Sequence, residues 1–200
     1  MPLQPTLRTP RLFLRPFSLA DAPAVHALVR AREIADTTLS IPHPYEKEAA
    51  ETWISSHLEM FNQGLSVHFA IILRESELLV GAIGLSIQLT HSCAEMGYWV
   101  GVPYWRRGYC TEAVAVVLEY AFRERELNRI YAVHFKRNPA SGRVMQKNGM
   151  VYEGCLRQHV QKWDAYEDLV QYGILRDEWQ ARQALSLTSL SGSGTIPPTL

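Results

Sequence analysis

Between residues 95 and 135 the spacing of apolar side chains changes twice, and this limits the possible folds more than any other feature of the chain. Residues 95–101 (EMGYWVG) form an aromatic, β-branched run that stops at Gly101-Val102-Pro103, as a strand does. Residues 111–126 then switch to helical spacing, with Val114, Val117, Leu118, Ala121 and Phe122 on one face. Residues 129–135 (RIYAVHF) return to strand character. A helix with one apolar face needs a layer to cover it, and the flanking strands supply a sheet.

The remaining segments extend this pattern. Residues 11–17 (RLFLRPF) alternate as a first strand, and residues 18–32 read as a helix with Val25, Leu28 and Val29 in a stripe and Pro23 within its first turn. IPHPY at 41–45 is a proline-stiffened loop. Residues 46–62 are expected to be one helix, burying Ala50, Trp53, Ile54, His57, Leu58 and Phe61 and stopping at Gly64. Segments 67–73 and 78–89 flank a polar turn and predict a hairpin, with Gly81 and Gly84 as strand glycines. Asn138-Pro139 opens another helix, with Asn138 as N-cap, that ends near Asn148-Gly149. Two closing strands, 151–160 and 167–175, meet around Lys162-Trp163-Asp164. The order β-α-α-β-β-β-α-β-α-β-β is a mixed α/β (α+β) chain without internal repeats. From Gln183 to Leu200 no residue is charged and Ser, Gly, Thr and Pro accumulate, so this tail is expected to be disordered.

Two hundred residues suit one domain, and 47% hydrophobic against 20% charged residues can build a core. Twenty Lys and Arg balance twenty Asp and Glu, so net charge favours neither nucleic acid nor a membrane surface as partner. Cys93, Cys110 and Cys155 lack C-x-x-C spacing, which argues against a zinc site or disulfide framework and suits a reducing cytoplasm. The start MPLQPTLRTPRL has no apolar h-region, and no run approaches membrane-spanning length. Seven histidines show neither H-x-H nor H-E-x-x-H, so no metal site is expected.

Any anion site must therefore be local, and GYWVGVPYWRRGYCTEA at 97–113 offers one. Arg106, Arg107 and Gly108 directly precede a helix start, where free backbone N–H groups and the helix dipole favour an anion. Glycine lets the backbone approach closely. The competing reading is a surface turn with two solvated arginines.

The ordered series WRRGYC, NPAS, KNGM and DLVQYGILRDEW resembles the GCN5-related N-acetyltransferases, more narrowly the RimJ/RimL type, over roughly residues 8–180. That resemblance implies a mostly antiparallel sheet of about seven strands with about four helices, splayed open at an acetyl-CoA site. In it Trp105, Arg106, Arg107, Gly108, Tyr109 and Cys110 stand at the positions of the pyrophosphate loop, with Thr111 following. Trp105 replaces a polar first residue and Cys110 a Gly or Ala. The backbone of Trp99, Val100 and Gly101 would pair with pantetheine, and Asn138 and Ser141 would also contact the cofactor. Glu95 is the expected base and Ser141 the group near the leaving sulfur. The implied activity is direct acetyl transfer from acetyl-CoA to a primary amine, on a protein N-terminus or a small molecule. The alternative is an acyl-CoA-binding module without turnover. The acceptor pocket would be built from the first two helices, the IPHPY loop with His43, and the Lys162-Trp163 hairpin. His134 reads as a satisfied core residue, Cys110 at its helix start as a thiol of lowered pKa, and the last strands as an edge through which two copies could pair as a homodimer.

Overall fold

The computed structural model describes residues 3–191. Eight strands form one sheet: β1 (Leu7–Arg8), β2 (Leu12–Pro16), β3 (Ser66–Leu73), β4 (Leu79–Gln88), β5 (Cys93–Val100), β6 (Arg129–Phe135), β7 (Val151–Lys162) and β8 (Ala165–Leu175). Their spatial order is β1-β2-β3-β4-β5-β6-β8-β7. Every neighbouring pair is antiparallel except β5 and β6. Those two are joined by α5 (Tyr109–Arg123), the crossover that a parallel pair requires.

The helices cover both faces. On one, Val114, Val117, Leu118 and Ala121 of α5 pack into a core with Leu12, Leu14, Phe69, Ile71 and Ile130. Met145 of α6 (Pro139–Lys147) and Trp179 of α7 (Arg176–Ser191) join it. On the other face, α1 (Ala22–Val29), α2 (Arg32–Thr37) and α3 (Lys47–Ser55) bury Val25, Val29, Ile34, Ala50 and Ile54 against Ala70 and Ile72.

Three expectations need correction. The helix expected over 18–32 is a 3-10 turn at Leu19–Asp21, then α1, a break at Ala31, and α2. Asp21 causes the early turn: its carboxylate takes both guanidinium nitrogens of Arg15 (2.8 and 2.7 Å) and the Ser18 N–H (2.8 Å). The helix expected over 46–62 breaks at Ser56 into α3 and α4 (His57–Asn62). Ser55 and Ser56 hydroxyls bond back to the carbonyls of Thr52 and Trp53, each at 2.9 Å, and so compete with the helix ladder. The break turns Leu58 out of the buried stripe; it is exposed. Finally, the segment expected to lack structure from Gln183 is helical through Ser191, and the remainder of that expectation, 192–200, lies outside the described residues. The Leu175 N–H donates to Glu178 at 2.9 Å as the helix begins, and Trp179 anchors it by packing 5.5 Å from Phe122.

Burial raises the Asp21 carboxyl, but Arg15 and Ser18 outweigh it and hold the folded pKa below the usual value. The stabilisation is therefore present above the unfolded pKa near 3.9 and is lost as pH falls through the folded pKa. Asp21→Ala is expected to cost about 1–2 kcal/mol in urea denaturation at pH 7, with the gap to wild type closing in strongly acidic buffer. An equal gap at both pH values would contradict the assignment.

Candidate active site

The parallel ladder between β5 and β6 contains only Cys93, Ala94 and Glu95, opposite Arg129, Ile130 and Tyr131. Beyond Glu95 the strands diverge, while β5 stays paired with β4 through Val100 and β6 stays paired with β8 through Phe135. The second edge of β5 is thus left open over five residues.

Backbone alternation decides which groups face that gap. The Gly101 N–H donates to Val80 O at 2.8 Å, so residues 99, 97 and 95 direct both their N–H and C=O groups at β4, while the Gly101 carbonyl turns away to accept the Tyr104 N–H at 2.9 Å. Met96, Tyr98 and Val100 direct theirs into the gap. Of the three residues expected to present backbone there, only Val100 does so; Trp99 is turned to β4, and Gly101 gives its N–H to β4 and its carbonyl to the turn that follows. The Val100 carbonyl also accepts the indole N–H of Trp105. Strand parity could have exposed this from sequence once one ladder bond was known.

Side chains follow the opposite rule. Glu95 and Trp99 project to the face of α1 and α3, with Gly97 leaving open space between them; Met96, Tyr98 and Val100 project to the face of α5 and α6. A cavity of about 660 Å³ runs through the gap and is lined from both faces, by Glu95, Gly97 and Trp99 and by Tyr98, His134 and Ser141. Glu95 is half-buried, opposite Ser86 of β4, and burial raises its carboxyl above the ordinary value. On the other face Ser141, in the first turn of α6, sits with its Oγ 2.9 Å from the Tyr98 hydroxyl. Tyr98 Oη donates to the Ser141 carbonyl at 3.1 Å, so the serine hydroxyl is the donor in their mutual bond. Burial pushes the Tyr98 phenol well up from its usual value. Sequence reasoning missed Tyr98, because a tyrosine in an aromatic strand carries no signal of its partner 43 residues away.

The loop before α5 is solvent-facing. Arg106, Arg107 and Gly108 are exposed, and Gly108 takes φ +80°, a left-handed conformation that favours glycine. Tyr109, Cys110 and Thr111 begin α5, and a helix start leaves their N–H groups without intrahelical acceptors. Arg11, also missed, braces this loop: it donates to the Arg107 carbonyl at 2.9 Å, pairs with Glu112 at 2.6 Å and covers the Tyr109 ring. Asn148 donates to the carbonyls of Thr111 (3.2 Å) and Val144 (2.9 Å), joining the end of α6 to the start of α5. Cys110 departs from expectation. Burial pushes its thiol up to about 12, overriding the helix terminus.

Asn138 makes no side-chain cap; its amide reaches back to the Thr37 carbonyl at 3.4 Å. His134 is buried, as expected, with Nδ1 2.8 Å from the Phe135 carbonyl. The far wall comes from α1, α3 and the 37–45 loop, including Ile41, Pro42 and Tyr45 but not His43. The hairpin residues Lys162 and Trp163 do not line it. Lys162 instead holds the loop from behind, donating to the carbonyls of Leu39 (3.3 Å) and Ile41 (2.8 Å). Among the described residues no helix is long and apolar enough to cross a membrane, and no group of three or more His, Cys, Asp or Glu could hold a metal ion.

The acetyltransferase (GNAT) domain model matches residues 11–151. This chain belongs to the GNAT acetyltransferase family. The "uncharacterized N-acetyltransferase YoaA" of Bacillus subtilis is 31% identical, over 86% of this chain and 97% of its own length. A GNAT-family acetyltransferase structure from Bacillus anthracis matches with TM-score 0.77 and 26% identity, over 86% of this chain and 99% of that one. The ribosomal-protein alpha-N-acetyltransferase RimL in complex with coenzyme A shares the fold at TM-score 0.81 and 18% identity, over 87% and 99% of the two chains. The chain is thus an acyltransferase of RimL-like fold.

Within this GNAT chain the buried ammonium of Lys162 is the clasp of the pocket loop. Lys162→Met should leave the two carbonyls without a partner and speed amide hydrogen exchange across residues 39–45, by an amount equivalent to about 1–3 kcal/mol of local opening. Unchanged protection there, in a folded variant, would show that the lysine does not hold the loop.

Proposed function

We propose that this protein transfers the acetyl group of acetyl-CoA directly to a primary amine, within one complex and without a covalent enzyme intermediate. The observation that carries the reading is the cavity through the β5–β6 gap, with a carboxylate on one face and a serine–tyrosine pair on the other. RimL, of the same fold, binds coenzyme A, and the residues here suit such a molecule. The gap offers both backbone groups of Tyr98, the Met96 carbonyl and the Val100 N–H to a pantetheine-like amide chain. The left-handed Gly108, the starting N–H groups of α5 and the exposed Arg106 and Arg107 suit a pyrophosphate. Asn138, its amide 3.4 Å from the Thr37 carbonyl, is a further candidate contact for the cofactor. When bound, acetyl-CoA supplies an activated thioester carbonyl.

The chain's own groups divide the remaining work. Glu95 receives the proton of the incoming ammonium, and its raised pKa brings it closer to that task than an exposed carboxylate. A neutral amine is then held on the α1–α3 face. Gap-directed N–H groups of β5 can stabilise negative charge on a carbonyl oxygen. Ser141 lies on the opposite face, where a leaving thiolate needs a proton; its hydroxyl turns from Tyr98 Oη to the sulfur to give that proton, and the Tyr98 phenol, kept protonated by burial, turns from the Ser141 carbonyl to replace it, the phenolate then regaining its proton from solvent. The transferase unit spans residues 8–180, and the three free cysteines suit a reducing cytoplasm.

A second reading is acyl-CoA binding without turnover, and two variants separate the possibilities. Gly108→Trp should abolish acetyl-CoA binding in titration calorimetry while circular dichroism stays native; retained affinity would remove the phosphate-loop assignment. Glu95→Gln should lower kcat on any accepted amine by about 100-fold or more with little change in acetyl-CoA affinity. The wild-type rate should rise with pH through a pKa above the ordinary carboxylate range, and this rise should vanish in the variant. A wild-type rate in Glu95→Gln would remove Glu95 as the base.

A further inference from the structure

The acceptor side of the cavity has an unusual charge content. Of the residues lining it, Glu95 is the only carboxylate, and none is lysine or arginine. Its wall is apolar and aromatic: Val25, Val29, Ile41, Pro42, Tyr45 and Trp53. Trp53 is fixed edge-on by Phe17 and His57, with ring centroids 5.0 and 4.5 Å apart. His68 also faces the cavity, stacked 4.3 Å from the His57 ring. Burial pushes these imidazoles down to about 4 and about 3, so near neutral pH they add surface and no charge.

Two of the wall's hydroxyls are committed within the protein. Thr37 and Thr38 each donate back to carbonyls of α2 at 2.7 Å, to Glu33 and Ile34. The carbonyls of Leu39 and Ile41 are taken by Lys162.

From this charge and hydrogen-bond content we infer that the acceptor is a small monoamine whose ammonium is its only charge, carried on an aromatic body: an arylalkylamine. The inference rests on the acetyl-transfer reading above and narrows its acceptor. A second ammonium would be desolvated without a counter-ion, which disfavours polyamines and aminoglycosides. An α-carboxylate would face Glu95 with no cation to meet it, which disfavours free amino acids. An aromatic ring gains from Trp53 and Tyr45.

The test uses the full chain with acetyl-CoA and follows thiol release. Phenethylamine and phenylalanine carry the same ring and differ by one carboxylate; spermidine, an aminoglycoside and a peptide with a free N-terminal serine complete the panel. The expected kcat/KM for phenethylamine exceeds each of the others by about 100-fold or more. Faster turnover of any of the others overturns the acceptor class and leaves acetyl transfer standing. Acetyl-CoA binding without thiol release on any amine overturns the transfer reading, and the acceptor class with it. Ser40→Asp adds a carboxylate to the wall and should shift the ratio of diamine to phenethylamine turnover by about two- to fivefold toward the diamine. An unchanged ratio in a folded variant would show that wall charge does not select the acceptor.

Discussion

The site depends on a ladder that stops early. Two parallel strands joined by a helix would ordinarily pair along their length, yet β5 and β6 share only three registered pairs. Each strand is held on its other side, β5 by eight registered pairs to β4 and β6 by seven to β8. The opening is therefore bordered by rigid sheet on both sides. Unpaired backbone groups inside a protein are costly, and here they line a cavity that water or a ligand can enter. The same divergence lets side chains of both faces reach one space, which a continuous sheet would prevent.

The surroundings hold that opening in register. Asn148 ties α6 to the start of α5, and Arg11 ties the preceding loop to the first strands through Glu112. On the opposite side Arg137, just after β6, bridges Asp36 at 3.0 Å and Glu167 at 2.7 Å, while Arg32 covers the Trp163 ring. Exposed ion pairs of this kind contribute little individually. Their value lies in direction, because each connects segments distant in sequence around the opening. Lys162 differs, being buried: an ammonium removed from water must keep its carbonyl partners, so the 39–41 loop is held more firmly than its length suggests.

Much of this was legible in the chain, for reasons that can be stated. The long stripe on α5 and the two strands around it have strong, opposite periodicities, and the structure has both. The broken helices were not legible, because the breaks come from Asp21 meeting Arg15 and from serine hydroxyls turning inward, whereas Val25 and Trp53 keep helical spacing across the same regions. The motif WRRGYC could be placed at a helix start from sequence. Its brace, Arg11, could not, since the two are 96 residues apart. Cys110 was misjudged for a related reason: position at a helix terminus is visible in sequence, burial is not, and burial decides the thiol. The choice of Trp99 as gap-facing backbone failed by one residue of register, the smallest error that reverses the direction of a backbone group in a strand, and Gly101 failed because the strand has ended and its carbonyl closes the next turn.

That parity also bears on how the proposed chemistry is arranged. Glu95 and Tyr98 are three residues apart on one strand, so their side chains must leave on opposite faces. A group that takes a proton from an entering amine and a group that gives one to a departing thiolate are best kept apart, or they neutralise each other before the reaction does. The strand enforces that separation without any further device, and the open gap supplies the connection between the two faces. Desolvation then acts on both groups in the same direction: it favours the protonated carboxyl at Glu95 and the protonated phenol at Tyr98. For the phenol this keeps a donor behind Ser141. For the carboxyl it sets a limit, because burial that improves the base also delays its ionisation, and Glu95 is only half-buried. The half-open position beside Ser86, at the last paired register before the strands part, is where a carboxylate can still be charged and already face the cavity.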